Sequence, residues 1–163
     1  MTETMGALMG LTRLDAPERE EALEAFYEAH RDDSLIVDKW LSLHALAPFA
    51  STPARLRALL DHPSFSLARP NRVRSLIGTF ALSNPVAFHS ADGEGYRLVA
   101  DVVLALDPLN PQVAARIATS FRSWRTLEAG RQGHAKRELE RIKAGAGLSR
   151  DVYEIAARCL GEA

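Results

Sequence analysis

The sequence predicts an all-α domain, and three observations predict it. Apolar residues recur at three- and four-residue spacing over most of the 163 positions. Four X-Pro pairs, at 52–53, 69–70, 84–85 and 110–111, stand where helices would begin, because proline's fixed φ suits the first turn and its missing N–H is unpaired there anyway. No segment of strand-like composition has a second such segment to pair with.

Taken in order, Asp15-Ala16-Pro17-Glu18 reads as a capping box, with Asp15 as cap and Glu18 three residues on. The stretch to about His30 then puts Leu23, Phe26 and Tyr27 on one face. A polar break at 31–34 precedes a buried helix over 35–46 carrying Ile36, Val37, Trp40, Leu41 and Leu43. Thr52-Pro53 opens the next, with Leu56, Leu59 and Leu60 apolar, and Asp61-His62-Pro63 closes it. The central stretch 69–89 starts one helix at Arg69-Pro70, with Leu76, Ile77, Phe80 and Ala81 toward a core. A second starts at Asn84-Pro85 with Asn84 as N-cap.

Gly93 and Gly95 mark a loop. The segment 96–106 is rich in valine and would suit a strand, but it runs straight into the cap Asn110-Pro111 and is read as helix. Val113, Ile117, Phe121 and Trp124 continue at helical spacing. Residues 128–144 form the most polar helix, with a stripe of Ala135, Leu139 and Ile142. Gly145 and Gly147 break it, and Ser149 caps a last helix that turns Val152, Ile155, Ala156 and Leu160 inward. This gives about eight or nine helices with short loops, fitting a compact bundle or a solenoid of stacked helix pairs. No sequence period stands out, yet the heptads of a regular bundle are missing. The favoured architecture is therefore a degenerate α-α superhelix, an ARM/HEAT-like solenoid filling 1–163 as a single helical domain. Residues 1–14 read like the tail of a helix, which suggests a piece of something longer.

Composition narrows the function classes. A net charge of −1 offers no general reason to bind nucleic acid or a membrane surface, and no apolar run is long enough to span a bilayer. Cys159 is the sole cysteine, so no internal disulfide forms, and a reducing compartment is the simpler inference. HExxH is absent, and His30, His44, His62, His89 and His134 never approach the spacing of a helical zinc site. The expectation is no catalytic residue and no metal ligand. The basic residues of the last third are interleaved with Glu128, Glu138 and Glu140, as on a solvated face. His89 reads as a proton donor or a hydrogen-bonded helix-end residue, the second being commoner, and Trp40 and Trp124 read as core. Arg72 and Arg74 fall in a first helical turn, where the dipole disfavours cations. Either an anionic partner compensates, or both are solvated or paired with a carboxylate of a neighbouring helix.

Several motifs then carry a family resemblance: Asp38-Lys39-Trp40, His62-Pro63-Ser64-Phe65, Pro70-Asn71-Arg72-Val73-Arg74-Ser75-Leu76-Ile77-Gly78 and Ser83-Asn84-Pro85. Phe88-His89, Asp92-Gly93-x-Gly95-Tyr96, Asn110-Pro111-Gln112-Val113-Ala114-x-Arg116 and Leu148-Ser149-x-Asp151-Val152-Tyr153-Glu154 follow in the same order. In these the chain resembles the C-terminal helical domain of bacterial aminopeptidase N, the M1 zinc aminopeptidases. One departure is Arg69, where that family usually has asparagine. The resemblance implies a C-terminal fragment of a four-domain cytoplasmic enzyme that removes N-terminal residues from peptides. Zinc and HExxH would lie in another domain of the same polypeptide, and this superhelical part would cap the active-site cavity. It also implies that the arginines at Arg74 and Arg116 face that cavity and meet the C-terminal side of the peptide, with Asn71 and Arg72 beside them. The alternative for Arg116 is a structural pair with Asp101 or Asp107. The chain alone should hold no cofactor and catalyse nothing. The competing readings are a free-standing helical-repeat module that binds a protein or peptide and, against the charge balance, an RNA-binding solenoid.

Overall fold

A computed structural model of the chain describes residues 2–162, and every regular element among them is helical. The chain divides into two compact units, 1–87 and 88–163.

The first unit begins with α1 (Thr2–Leu11), α2 (Pro17–His30), α3 (Ser34–Ala45) and α4 (Thr52–Leu60). A rod over 70–83 follows in three stretches: α5 (Pro70–Val73), a π turn (Arg74–Gly78) and α6 (Thr79–Ser83). The one-turn α7 (Pro85–Phe88) then crosses the division. Leu23, Val37, Trp40, Leu41, Leu56, Leu76, Ile77 and Phe80 fill this core. Asp33 caps α3, its Oδ1 accepting from the N–H groups of Leu35 at 2.9 Å and Ile36 at 3.3 Å. Asn84 does more than cap. Its Oδ1 accepts from Ala87 N–H at 3.2 Å while its amide donates to the carbonyls of Ala45 and Ala47 at 2.9 and 2.8 Å. The capping box at 15–18 does not form: helix α2 starts at Pro17, which makes Ala16 the N-cap with no side chain to contribute. Asp15 lies one position too early.

The second unit holds α8 (Glu94–Leu106), α9 (Pro111–Ala118), a 3₁₀ stretch (Thr119–Thr126), α10 (Ala129–Lys143) and α11 (Arg150–Leu160). Helix α8 packs on α9 and α10, and α11 packs on α9 and α10. The valine-rich segment is helical because Tyr96, Leu98, Val99, Val102, Val103 and Leu106 are all buried, and their burial outweighs a weak β preference. Gly93 opens α8 with φ 76, and a Cβ there would stand 2.6 Å from the His134 ring, so only glycine fits. Asn110, Glu128 and Ser149 cap α9, α10 and α11 through the N–H groups of Val113, Arg131 and Val152. Beyond Ala118 the period tightens to 3₁₀, and Trp124 is buried with its indole N–H on the Cys159 carbonyl at 2.9 Å. Merging α5 and α6 across the π turn and setting aside the one-turn α7 leaves nine helices among the described residues.

Candidate functional site

In the first unit the loop at 64–69, the start of α5 and one face of α3 enclose an open hollow of about 470 Å³, lined by Ser34, Asp38, Arg69, Asn71, Arg72 and Arg74 among others. Helix α3 is apolar on most of its inner face, but Ser34, Asp38 and Ser42 stand four residues apart and form one polar stripe. That stripe faces the arginine-bearing turn.

Arg72 and Arg74 part ways there. Arg72 is buried. Its Nε donates to the Ser64 carbonyl at 2.9 Å, and Nη1 to the Ser34 carbonyl at 2.8 Å and to the Asp38 carboxylate. It clamps the loop, α3 and α5 together, and Nε and Nη1 have no donor left for a ligand. Of the two readings of Arg72, this geometry favours the pair with a carboxylate of a neighbouring helix, with Nη2 on the Ser34 hydroxyl at 3.4 Å. Arg74 is exposed on the hollow, and its nearest fixed partner is the neutral Asn71 Oδ1 at 3.3 Å from Nη1. Asn71 and Arg69 are exposed on the same rim. Since Asp38 is matched by Arg72, the hollow keeps an excess positive charge from Arg69 and Arg74, which suits an anion or a carbonyl-rich chain end.

In the second unit Arg116 is exposed on α9 and has no ion pair with either aspartate weighed for it. Asp101 pairs with Arg141 at 2.7 Å. Asp107 accepts from the N–H of Ser149 at 2.7 Å and from its hydroxyl. Tyr96 Oη and His89 Nδ1 lie 2.8 Å apart, and Arg131 donates to the His89 carbonyl. Burial, helped by Arg131, pulls the imidazole below its ordinary value, while burial pushes the Tyr96 phenol up to about 12. His89 is thus a bonded helix-end residue.

Sequence reading passed over Ser34, Asp38 and Ser42 as partners of the central turn. Their four-residue spacing on an otherwise apolar helix was the available signal. Among the described residues no cluster of three or more His, Cys, Asp or Glu is placed to hold a metal ion, so nothing here fits the zinc that the resemblance implies for the parent enzyme. No described helix is long and apolar enough to cross a membrane.

All-helical described residues, with a polar stripe beside a cationic hollow, give the chain the architecture of a helical-repeat domain. The chain belongs to the family described as the ARM-repeat domain of unknown function DUF3458_C, which matches residues 1–161. It is 38% identical over 161 residues to aminopeptidase N of Caulobacter vibrioides and 39% identical over 160 residues to that of Haemophilus influenzae, covering 99% and 98% of this chain. Its fold matches the crystal structure of Legionella pneumophila aminopeptidase A in complex with aspartic acid, with a TM-score of 0.92 at 37% identity over the whole chain. The chain spans only 18–19% of the length of these relatives. It therefore corresponds to one helical domain of aminopeptidase N-type proteins.

Proposed function

We propose that this chain is the cavity-capping C-terminal domain of a cytoplasmic zinc aminopeptidase, working with the other domains of the same polypeptide on peptides. Its part is confinement and recognition: Arg74 and Arg116 offer guanidinium groups to the far end of a peptide whose N-terminus is held elsewhere. The observation that carries this reading is the division of labour in the central turn. Arg72 is held by Asp38 and two backbone carbonyls, whereas Arg74, two residues on, meets only the neutral Asn71 amide oxygen on an open, positively charged hollow. An exposed cation without a carboxylate partner is well placed to meet a chain-terminal carboxylate bidentately.

The test uses the full-length enzyme, with Arg74→Ala and Arg116→Ala assayed on a tripeptide and on a single-residue amide. A charge-assisted hydrogen bond contributes about 1.5–3 kcal/mol, so each change should raise KM for the tripeptide about tenfold or more and leave the amide unaffected. Equal activity of the variants on both substrates would remove the arginines from recognition.

A further inference from the structure

The rod over 70–83 buries side chains at a four-residue spacing: Arg72 and Val73, Leu76 and Ile77 with Gly78 beside them, Phe80 and Ala81, then Asn84 just beyond. An α-helix turns about 100° per residue, so this spacing drifts by about 120° between 72 and 84 and would swing one end out of the core. The π turn at Arg74–Gly78 adds one residue to the winding and takes back about 100° of that drift. Both ends of the rod stay buried, and Arg74 is left at the turn's outer corner.

The turn has a cost and a prop. Thr79 N–H bonds the carbonyls of Arg74, five residues back, and Leu76, and so passes over the Ser75 carbonyl that an α-helix would have given it. Ser42 of α3 meets that carbonyl. Its Oγ lies 3.1 Å from Ser75 O and 3.0 Å from Asp38 O, sharing one proton between them. On the same stripe, Ser34 and Asp38 hold Arg72. Residues on both sides of Arg74 are therefore fastened to α3, one by a guanidinium and one by a hydroxyl.

From this we infer that Ser42 is a positioning residue. By bonding the carbonyl that the π turn releases, it fixes the turn and with it the direction in which Arg74 enters the hollow. The inference rests on the reading of Arg74 as a peptide-binding group. It assigns Ser42 no contact with the substrate.

Ser42→Ala tests it in the full-length enzyme. Alanine is the better helix former, so α3 is retained and the hydroxyl alone is lost. Ser42→Thr is the rescue: threonine also bonds the carbonyl four residues back, and a hollow of about 170 Å³ beside Ser42, Ser75, Leu43 and Met9 has room for the extra methyl. The expected result is a KM for a tripeptide raised about fivefold, the size of one neutral hydrogen bond, with kcat unchanged and a single-residue amide hydrolysed as before. Ser42→Thr should restore KM. In an Arg74→Ala background, Ser42→Ala should add nothing, because the group it positions is gone.

If Arg74→Ala raises the tripeptide KM and Ser42→Ala does not, Arg74 binds but Ser42 does not hold it, and the inference falls while the functional reading stands. Additive losses in the double variant overturn it as well, since Ser42 would then act by another route. If Arg74→Ala leaves the tripeptide KM untouched, the functional reading fails and the inference fails with it.

Discussion

Replacing Arg72 by alanine leaves the Asp38 carboxylate and the carbonyls of Ser34 and Ser64 without their shared donor. Removing one partner of a buried ion pair costs about 3–5 kcal/mol, and urea unfolding should show a loss in that range. Arg74→Ala, at an exposed position, should change stability by no more than about 0.5 kcal/mol. The two variants thus separate fold from face within one motif. His44 is a second buried group with a measurable signature. It packs edge-on to Trp40 at 4.9 Å between ring centroids, and neither ring nitrogen meets a protein partner. Burial first, then the charges of Arg19 and His62, push its pKa from 6.5 down to about 4. A depressed histidine favours the neutral form in the fold. Its contribution is therefore complete above pH 6.5, where neither state binds the proton, and shrinks as pH falls toward 4 because the unfolded chain takes up a proton that the fold refuses. Between pH 7 and pH 5 this amounts to about 2 kcal/mol. Urea titrations of the chain and of His44→Leu should differ in pH slope by that amount, and parallel slopes would refute the assignment.

At the scale of elements, the joints are short polar contacts at helix ends. Asp107, at the end of α8, accepts from both the N–H and the hydroxyl of Ser149, which itself caps α11. One carboxylate thus ties the end of one helix to the start of another. Asp107→Asn turns the acceptor of the Ser149 hydroxyl into a donor, so the hydroxyl loses its charge-assisted bond, and should cost about 2 kcal/mol. Ser149→Ala should cost about 1 kcal/mol, and the double variant less than the sum because the two share a bond. Thermal unfolding of the three variants checks this, and strict additivity would contradict it. Contacts of this local kind were largely legible in the sequence. The starts at Asn84, Asn110 and Ser149 are set within three residues of the chain and occur where the motifs put them. Asp15 failed because a proline can move a helix start by one residue and disarm a cap. The π turn was not read, although the four-residue recurrence from 72 to 84 contains it, since such spacing passes for α-helical over two turns and departs from it only over three. Spacing and helix position alone did not separate Arg72 from Arg74; only the family resemblance ranked Arg74 first. What distinguishes them is Asp38, 34 residues away, and only the packing of α3 decides which arginine it takes.

At the scale of the whole molecule, the chain carries two cores. The second unit buries Phe88, Tyr96, Val99, Val103, Phe121, Leu139, Ile142 and Val152 within 88–163. Its helix ends are capped from within that range, and it exceeds the size at which small domains fold unaided. A fragment covering 88–163 should therefore give a helical spectrum and a single cooperative melting transition, and a broad, non-cooperative melt would refute its independence. The same unit contains Cys159, the only thiol in the sequence. It is buried on α11, burial pushes its pKa up, and its carbonyl is latched by the Trp124 indole. A thiol that is both protonated and covered reacts with an alkylating reagent only when the helix end lifts away. The rate at which this one sulfur is labelled therefore serves as a stopwatch for the unlatching of α11, already built into the native sequence.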